Sequence, residues 1–346
     1  MGLFFMDGFD HEQNFTDLAT KWTTAVQNGF GAQLTSATVP YAYGQSLALQ
    51  CWSLALAYVY KTFPGNLARV IAGFAINPPG GGGNHVINFM DGATVQCFAQ
   101  YNSANGAYDF YQAGNLLGST PNASFPSGIF NYMEIDVTIN AAGAVTIYKN
   151  GIAILTLAAV NTQTSANTWT NQIQFTANSS NNNYYIDDLY LLDPSSGPYA
   201  AALGPSRITV SKPTANDAVQ FNPVGLATNF DNVDAVPYVA ANAAADYNIS
   251  PGVGNQDTFP ISAIPFAPST IFGVAVNSMN EQDAAGTVEM ANVIKSGATT
   301  TLGANVSVAN GTYKYQQDIF VADPSTAAPW TIAGVNAAKI GYNQTA

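Results

Sequence analysis

The sequence predicts an all-β protein built as a sandwich or barrel of short strands. Segments rich in Val, Ile, Tyr and Phe alternate with polar residues, which is the pattern of a strand with one buried face. Gly, Asn and Pro separate these segments, and apolar residues at helical spacing are scarce. Many short strands between turn residues are typical of sandwiches and barrels.

Two hairpins give the strongest local signal. Ile135–Ile139 and Val145–Tyr148 are short apolar segments, and Asn140-Ala-Ala-Gly143 separates them as a turn. Lys149-Asn-Gly151 then supplies an Asn-Gly turn before a further strand, Ile152–Leu157. Because Asn and Gly adopt the positive φ angles that two-residue turns need, we expect three consecutive antiparallel strands.

The composition changes near residue 195, where Asp193-Pro-Ser-Ser-Gly-Pro198 interrupts the strand pattern. Pro and Gly clusters mark loops and linkers. We therefore predict a first domain at residues 1–195 and a smaller β-rich domain at residues 196–346. The second domain would begin with an extended linker that contains Ala and Pro.

The composition excludes several classes of function. The chain has 346 residues, a net charge of −12 and only 9% charged residues. Nine Lys and Arg residues neutralise few phosphates, so we expect no nucleic-acid partner. No apolar run approaches the ~20 residues of a membrane helix, and the opening segment lacks the basic start of a signal peptide. We accordingly expect no membrane partner, and two His with two Cys are too few for a zinc framework.

Ordered motifs in the first domain resemble a concanavalin-like or laminin-G-like jelly roll. Leu3-Phe-Phe-Met-Asp-Gly-Phe-Asp-His11 opens the domain, and Phe130-Asn-Tyr-Met-Glu-Ile-Asp-Val137 begins the central hairpin. Tyr185-Ile-Asp-Asp-Leu-Tyr-Leu-Leu-Asp193 closes it. The resemblance implies that the closing strand pairs with the opening strand.

The same layout resembles a group of tailed-bacteriophage virion proteins, which share the opening motif, the Ile-Asp-Asp strand and a second β domain. Ala201–Ile208, Pro213–Asp217 and Asp323–Thr331 extend the resemblance. It implies a non-enzymatic structural component of the particle, in the tail, neck or baseplate, that works through protein–protein packing. A capsid decoration protein and a carbohydrate-binding adhesion module for host attachment are the alternatives.

The resemblance also sets expectations for partners and location. Other virion proteins and further copies of the chain, as a trimer, are the expected partners, and a host surface glycan is the expected ligand of an adhesion module. The expected location is the virion, assembled in the cytoplasm of a bacterial host.

Glu134 and Asp136 are the main candidates for catalysis. Side chains two apart on a strand share a face, and glucanases of the laminarinase type carry Glu-x-Asp-x-x-Glu on one strand. A retaining glycosidase needs two carboxyl groups about 5 Å apart. Thr138 and Ile139 stand where the second Glu would fall, so the acid/base is missing. We expect two exposed strand carboxylates and no enzyme.

Asp7, Asp10 and Asp187 are candidate calcium ligands, because pairing of the first and last strands would bring them together. Calcium takes six to eight oxygen ligands. Asp188 should point to the opposite face from its neighbour, so only one of the two would enter the site. The alternative is local hydrogen bonding in turns, and no other cofactor is expected.

Tyr41, Tyr43 and Tyr184 are candidate sugar-binding residues, from a wider set of tyrosines near predicted loops and strand ends. That wider set also contains Tyr101, Tyr108, Tyr111 and Tyr185. Aromatic faces stack on sugars, but a tyrosine that packs at the rim of a sandwich is the alternative interpretation.

Three further side chains carry expectations about burial. Cys51 and Cys97 lie in predicted strands, as buried thiols or as a cross-strand disulfide. His85 follows a glycine-rich loop, and we expect it at the surface.

Overall fold

The computed structural model describes residues 2–10, 18, 20–26, 32–35, 46–51, 57–78, 85–177, 182–234, 245–283 and 286–346, with the backbone alone at 24–26, 32–35, 46–51, 57 and 182–184. These residues form two compact units, of which the first extends to Ile208 and the second begins at Thr209. The change of unit comes later than residue 195, because Leu203, Gly204 and Ile208 are hydrogen-bonded to side chains of the first unit.

The first unit consists of two antiparallel sheets. In chain order its strands are β1 (Gly2–Asp7), β2 (Thr24–Val26), β3 (Ala32–Thr35), β4 (Ser46–Cys51), β5 (Ala57–Leu67), β6 (Arg69–Asn77), β7 (His85–Asp91), β8 (Thr94–Asn102), β9 (Ala107–Gln112), β10 (Asn115–Ser119), β11 (Asn131–Thr138), β12 (Gly143–Lys149), β13 (Ile152–Val160), β14 (Thr170–Ala177) and β15 (Asn182–Asp193). The eight-stranded sheet has the order β13-β12-β11-β6-β15-β4-β3, with β1 added against β15. The seven-stranded sheet has the order β10-β9-β8-β7-β14-β5-β2.

The inner faces of these sheets share one hydrophobic core. Phe74 and Ile135 enter it from the eight-stranded sheet, and Phe89 and Phe175 enter it from the seven-stranded sheet. The rings of Phe74 and Phe175 meet edge to face, with their centroids 5.3 Å apart. Burial of each such side chain contributes about 1.5–3 kcal/mol to stability. This arrangement confirms the predicted all-β sandwich.

The central hairpins form as predicted. β11, β12 and β13 pair in succession as antiparallel neighbours. The turn between β12 and β13 places Asn150 at φ 50° and Gly151 at φ 81°, which are the two positive angles of a type I′ turn. The Asn150 side chain also accepts a hydrogen bond from the Tyr132 amide at 2.8 Å, which ties the turn to β11.

The opening and closing strands of the first unit pair with each other, as the jelly-roll resemblance implies. β1 lies antiparallel to β15, with Leu3 opposite Leu192 and Asp7 opposite Leu189. The Gly2 amide donates to the Ser196 hydroxyl at 2.8 Å, just beyond the end of β15. The two ends of the sandwich are therefore joined by backbone and side-chain bonds.

The second unit is also rich in β structure. Its elements are β16 (Asn222–Val224), β17 (Tyr247–Ile249), β18 (Gln256–Pro260), β19 (Val274–Asn280), β20 (Val288–Ser296), β21 (Thr299–Leu302), β22 (Val306–Val308), β23 (Lys314–Phe320), the helix α1 (Ile332–Ala337) and β24 (Lys339–Gln344). A five-stranded sheet has the order β18-β24-β20-β21 with β22 against β20, and two further pairs are β16-β17 and β19-β23. The second part of the predicted fold class, a smaller β-rich domain, is confirmed.

A buried carboxylate organises part of the second unit. Asp257 is fully buried and accepts hydrogen bonds from the amides of Gln220 and Phe221 and from Asn229 Nδ2. Because a buried charge must be compensated by donors, these bonds fix the segment around residues 220–229 against β18. Among the described residues, no helix has the length and apolar character needed to cross a membrane.

Candidate functional site

The seven-stranded sheet turns one face to the core and the other away from it. Along β8, Cys97, Ala99 and Tyr101 are buried in the core. Since successive side chains of a strand point to opposite faces, Phe98 and Gln100 lie on the outer face. Both are half-buried, so this face is accessible along β8.

The strand register brings five side chains of this outer face into one row. Tyr111 of β9 lies opposite Phe98 of β8, which lies opposite Asn88 of β7. Asn88 lies opposite Gln174 of β14, and Gln174 lies opposite Tyr60 of β5. We call these five residues the aromatic–amide row. Four intervals of 4.7–4.9 Å between neighbouring strands make it about 19 Å long.

Aromatic rings stand at both ends of the aromatic–amide row. Phe98 and Tyr111 are stacked, with ring centroids 5.1 Å apart and planes at 15°. At the other end, Tyr60 is stacked on Tyr58, with centroids 6.2 Å apart and planes at 21°. All four rings are half-buried, and therefore present apolar surface to solvent on either side of the row's centre.

Two amides form the centre of the row. Asn88 Nδ2 donates to Gln174 Oε1 at 2.9 Å. An amide side chain has two donors and one acceptor oxygen. The bond uses one of the two N–H donors of Asn88 and one of the two lone pairs of Gln174 Oε1, and it leaves Asn88 Oδ1 and Gln174 Nε2 uninvolved. Gln174 is half-buried and Asn88 is 8% exposed. The centre of the row can therefore both accept and donate hydrogen bonds.

The charge around the aromatic–amide row is negative. Asp109 lies on the adjacent row, opposite Gln100, and accepts a hydrogen bond from Asn102 Nδ2 at 3.0 Å. Burial, followed by the charge of Asp109, raises the pKa of Tyr111. Lys61 is the only Lys or Arg in the seven strands, and its ammonium lies 4.3 Å from the centroid of the core ring Phe5. No cation of these strands therefore reaches the outer face.

Glu134 forms a second candidate site, on the eight-stranded sheet. Its Oε1 accepts hydrogen bonds from the Tyr190 hydroxyl at 2.5 Å and from the Gly204 amide at 2.8 Å. Its Oε2 is buried without a hydrogen-bond partner, beside a cavity of about 290 Å³ that Tyr148 and residues 201–204 also line. Burial raises the pKa of Glu134, and the bond from Tyr190 opposes the rise.

The expectation that Glu134 is exposed was wrong. Its side chain is fully buried, because residues 201–204 lie over this part of the sheet. Asp136 retains partial exposure and forms a bidentate ion pair with Arg69, at 2.8 and 2.6 Å. The carboxyl group of Glu134 is therefore held by Tyr190, and that of Asp136 is held by Arg69.

Asp7 and Asp187, two of the three carboxylates proposed for calcium, accept hydrogen bonds from donors of the protein. Asp7 is fully buried and accepts from the Phe9 amide, from Trp22 Nε1 and, through an ion pair at 2.8 Å, from Lys21. Asp187 accepts from the amide of its neighbour at 2.8 Å. Among the described residues, no three His, Cys, Asp or Glu side chains are arranged to hold a metal. Calcium binding by Asp7, Asp10 and Asp187 stays a prediction.

Asp188 does not follow the regular alternation that we assumed for β15. Its φ is 50°, and the register of β15 against β6 shifts between Asp187 and Tyr190. Both aspartates are consequently buried on the same stretch of strand. Burial and then the charge of Asp188 raise the pKa of Asp187, and burial raises that of Asp188 itself.

The three tyrosines predicted to bind sugar are not members of the aromatic–amide row. Tyr41 and Tyr43 are outside the described residues, and Tyr184 is described only by its position in β15. Of the wider set of tyrosines, Tyr111 belongs to the row, whereas Tyr101 and Tyr108 are core residues. One signal in the sequence could have located the row. In strands where every second residue is strongly apolar and faces the core, the residues between them face outward, and the members of the row occupy such positions.

Two further expectations about burial are settled. Cys97 is a free, fully buried thiol, so the disulfide alternative is wrong, and the side chain of Cys51 lies outside the described residues. Burial raises the pKa of Cys97. His85 was expected at the surface, but it is buried and stacked on Tyr101 with centroids 4.9 Å apart. Burial lowers the pKa of His85 to about 3, which keeps the imidazole neutral.

No protein-family model and no curated protein matches this sequence. Among solved structures, the chain is similar to an endo-β-1,4-glucuronan lyase from the fungus Trichoderma reesei, with 12% identity, 55% of this chain and 95% of that chain covered, and a TM-score of 0.41. It is also similar to the cellulose-induced protein Cip1, with 17% identity, 59% and 100% coverage, and a TM-score of 0.42. A third is the carbohydrate recognition domain of Emp46p in metal-free form, with 8% identity, 51% and 89% coverage, and a TM-score of 0.37.

All three neighbours have identities below 20% and TM-scores below 0.5. At such identities and TM-scores they carry no argument about activity. They give no support for a phage origin, which stays an expectation from the sequence motifs.

Proposed function

We propose that this chain is a carbohydrate-binding module and that the aromatic–amide row is its binding surface. The observation that carries the proposal is the register, which places Tyr111, Phe98, Asn88, Gln174 and Tyr60 side by side on the outer face of the seven-stranded sheet. Flat apolar rings cover the C–H faces of sugar rings, and amides bind their hydroxyls as donors and acceptors. A length of about 19 Å accommodates an oligosaccharide rather than a single sugar.

The row requires little reorganisation to bind. The stacked pairs Phe98–Tyr111 and Tyr58–Tyr60 restrict the ring orientations, and the Asn88–Gln174 bond fixes the amides. Side chains that are ordered before binding lose less entropy when the ligand arrives. A preorganised surface on a rigid sheet is therefore suited to recognition of an extended polymer.

The test is a glycan array, followed by titration calorimetry on the best ligand. Phe98→Ala and Tyr60→Ala each remove one aromatic ring, on either side of the central amides, and truncation of an aromatic hot spot costs about 2 kcal/mol, or about 30-fold in affinity. Tyr315→Ala is the matched control, because Tyr315 is a half-buried tyrosine in β23 of the second unit. Equal affinity of all three variants and the parent would contradict the proposal, and so would an array without binding.

The proposed module binds without cleaving. The expectation that the chain is not an enzyme stays a prediction, which incubation with glucuronan, alginate and neutral glucans checks through chromatography of the products. A new reducing end or an unsaturated uronate at substoichiometric protein would overturn it. Glu134→Gln then shows whether the second candidate site is responsible.

A structural role in a phage particle, through packing against other virion proteins and further copies, is the second candidate function. It is supported by β13, an edge strand with neither charge nor proline whose Ile152 is 70% exposed. Unprotected apolar edges pair readily with other strands. A host-attachment module on the virion would unite this role with glycan binding.

Light scattering on the purified chain tests the structural role. We expect an oligomer, with a trimer as the specific prediction, and dissociation when Thr156→Lys places a charge on the exposed part of β13. Ala141→Lys, in the turn between β11 and β12, is the control for the added charge. A monomer at all concentrations would count against packing between copies, and mass spectrometry of particles would establish whether the chain is a virion component.

A further inference from the structure

We infer that the aromatic–amide row selects neutral polysaccharides over polymers of uronic acids. This inference rests on the proposed function and adds the chemical class of the ligand to it. Three observations carry it: the position of the only cation of the sheet, the carboxylate beside the row, and the hydrogen-bonding capacity of the central amides.

The first observation is the position of Lys61. The described strands of the seven-stranded sheet contain no other Lys or Arg. The Lys61 ammonium donates to the Lys21 carbonyl at 2.6 Å and lies over the ring of Phe5, on the core side of the sheet. A uronate bound along the outer face would thus meet no cation from these strands. Specific recognition of carboxylates ordinarily uses Arg or Lys.

The second observation is the negative charge next to the row. Asp109 lies opposite Gln100, and this pair is two residues along the strands from the Tyr111–Phe98 pair, on the same face of the sheet. Its bond from Asn102 Nδ2 adds a neutral donor but no positive charge. A polymer with a carboxylate on every sugar would place like charges near Asp109, and such contacts suppress binding.

The third observation concerns the centre of the row. Because Asn88 Nδ2 donates to Gln174 Oε1, the amides present the acceptor Asn88 Oδ1 beside the donor Gln174 Nε2. A hydroxyl group satisfies either one, since it both donates and accepts. An ionised carboxylate accepts only, so it leaves Asn88 Oδ1 without a donor and loses affinity. Adjacent hydroxyls on a neutral sugar match the pair.

The experiment compares matched polymers. The probes are laminarin, soluble starch and galactomannan, each in native form and after oxidation of its C6 hydroxymethyl groups to carboxylates, together with alginate. Affinity electrophoresis and calorimetry measure binding at low and high salt. We expect the native form of the bound polymer to bind at least about tenfold more tightly than its oxidised form, with little dependence on salt.

A charge variant makes the test reciprocal. Gln174→Lys places a cation in the centre of the row, so it should weaken binding of the native polymer and create salt-sensitive binding of the oxidised polymer. Thr146→Lys, on the other sheet, is the control and should change neither. Equal or preferential binding of oxidised polymers or alginate by the parent chain would overturn the inference while leaving the proposed function intact. Binding of none of the probes would overturn both.

Discussion

Gly73→Ala should strongly destabilise the first unit, because Gly73 lies beneath the ring of Tyr190. Gly73 of β6 pairs with Tyr190 on one side and with Glu134 on the other. A methyl group on Gly73 would lie 2.1 Å from Cε1 of Tyr190 and 2.6 Å from its Cζ. The ring crosses β6 at this glycine, and its hydroxyl thereby reaches the carboxylate two strands away at 2.5 Å.

The magnitude follows from the bonds that the displaced ring would lose. The bond from Tyr190 to the Glu134 carboxyl group contributes about 1.5–3 kcal/mol if that group is charged, and the bond from the Leu203 amide to the Tyr190 hydroxyl contributes about 0.5–1.5 kcal/mol. We therefore expect Gly73→Ala to reduce the free energy of unfolding by about 2–4 kcal/mol. If the backbone shifts instead of the ring, the strain of overpacking costs a comparable 1–3 kcal/mol.

A double-mutant cycle with Tyr190→Ala measures this coupling. Tyr190→Ala removes the three atoms that lie nearest to the new methyl group, and alanine in a strand is otherwise favoured over glycine by about 0.5–1 kcal/mol. Urea denaturation gives the free energies, and hydrogen exchange in β6 and β15 assigns them to the first unit. The same loss of stability from Gly73→Ala in both backgrounds would refute the packing argument.

Three further predictions concern buried polar groups of the first unit. Burial lowers the pKa of Lys61 to about 8, so between this value and the ordinary lysine pKa of 10.5 the folded state binds fewer protons than the unfolded state. The free energy of unfolding should therefore rise by up to about 3 kcal/mol between these two pH values. Lys61→Met should abolish this rise in denaturant titrations. The raised pKa of Asp187 means that the folded state binds more protons than the unfolded state, so the free energy of unfolding should fall as the pH rises above the ordinary aspartate range. Asp187→Asn should reduce this fall and raise the melting temperature at pH 8. Gln96→Leu should lower the free energy of unfolding by about 3–5 kcal/mol, because the side-chain amide of Gln96 forms hydrogen bonds with residues 164, 165, 167 and 169 that contribute about 1 kcal/mol each. Faster hydrogen exchange confined to residues 163–169 would support this prediction, and unchanged exchange there would contradict it.

Local signals in the sequence predicted those parts of the fold that depend on neighbouring residues. The turn at Asn150 and Gly151 follows from the φ preferences of two residue types, and the strands on either side of it follow from alternation. The pairing of β1 with β15 joins distant segments, and it was predicted from the jelly-roll resemblance rather than from any local pattern. The sandwich was therefore accessible from the sequence.

The burial of Glu134 could not be predicted from the sequence in the same way. Alternation correctly placed it on the side of β11 opposite the core residues Met133 and Ile135. Whether that side is covered depends on Leu203 and Gly204, which come from a segment with no strand signal and far away in sequence. Alternation predicts the face of a side chain, but it does not predict what covers that face.

The aromatic–amide row shows the same limit at the candidate site. Each of its members occupies an ordinary outward position on its own strand, and no local motif connects them. Asn88 and Gln174 become neighbours only because β7 pairs with β14 in one register, and a shift of either strand by one residue would turn the side chain of that strand toward the core. The site is a property of the sheet register, which the sequence of a single strand does not contain.

The two outer faces of the sandwich differ in a way that separates stability from recognition. On the eight-stranded sheet, Tyr190 and Glu134 are covered and hydrogen-bonded within the unit. On the seven-stranded sheet, the rings of the aromatic–amide row and Gln174 are half-buried, and Asn88 between them is 8% exposed. Gly73→Ala should therefore weaken folding without changing glycan affinity in the folded fraction, whereas Gln174→Lys should change ligand preference with little effect on unfolding. If Gly73→Ala changed the sugar affinity of the folded protein and Gln174→Lys did not, the binding surface would lie on the eight-stranded sheet instead.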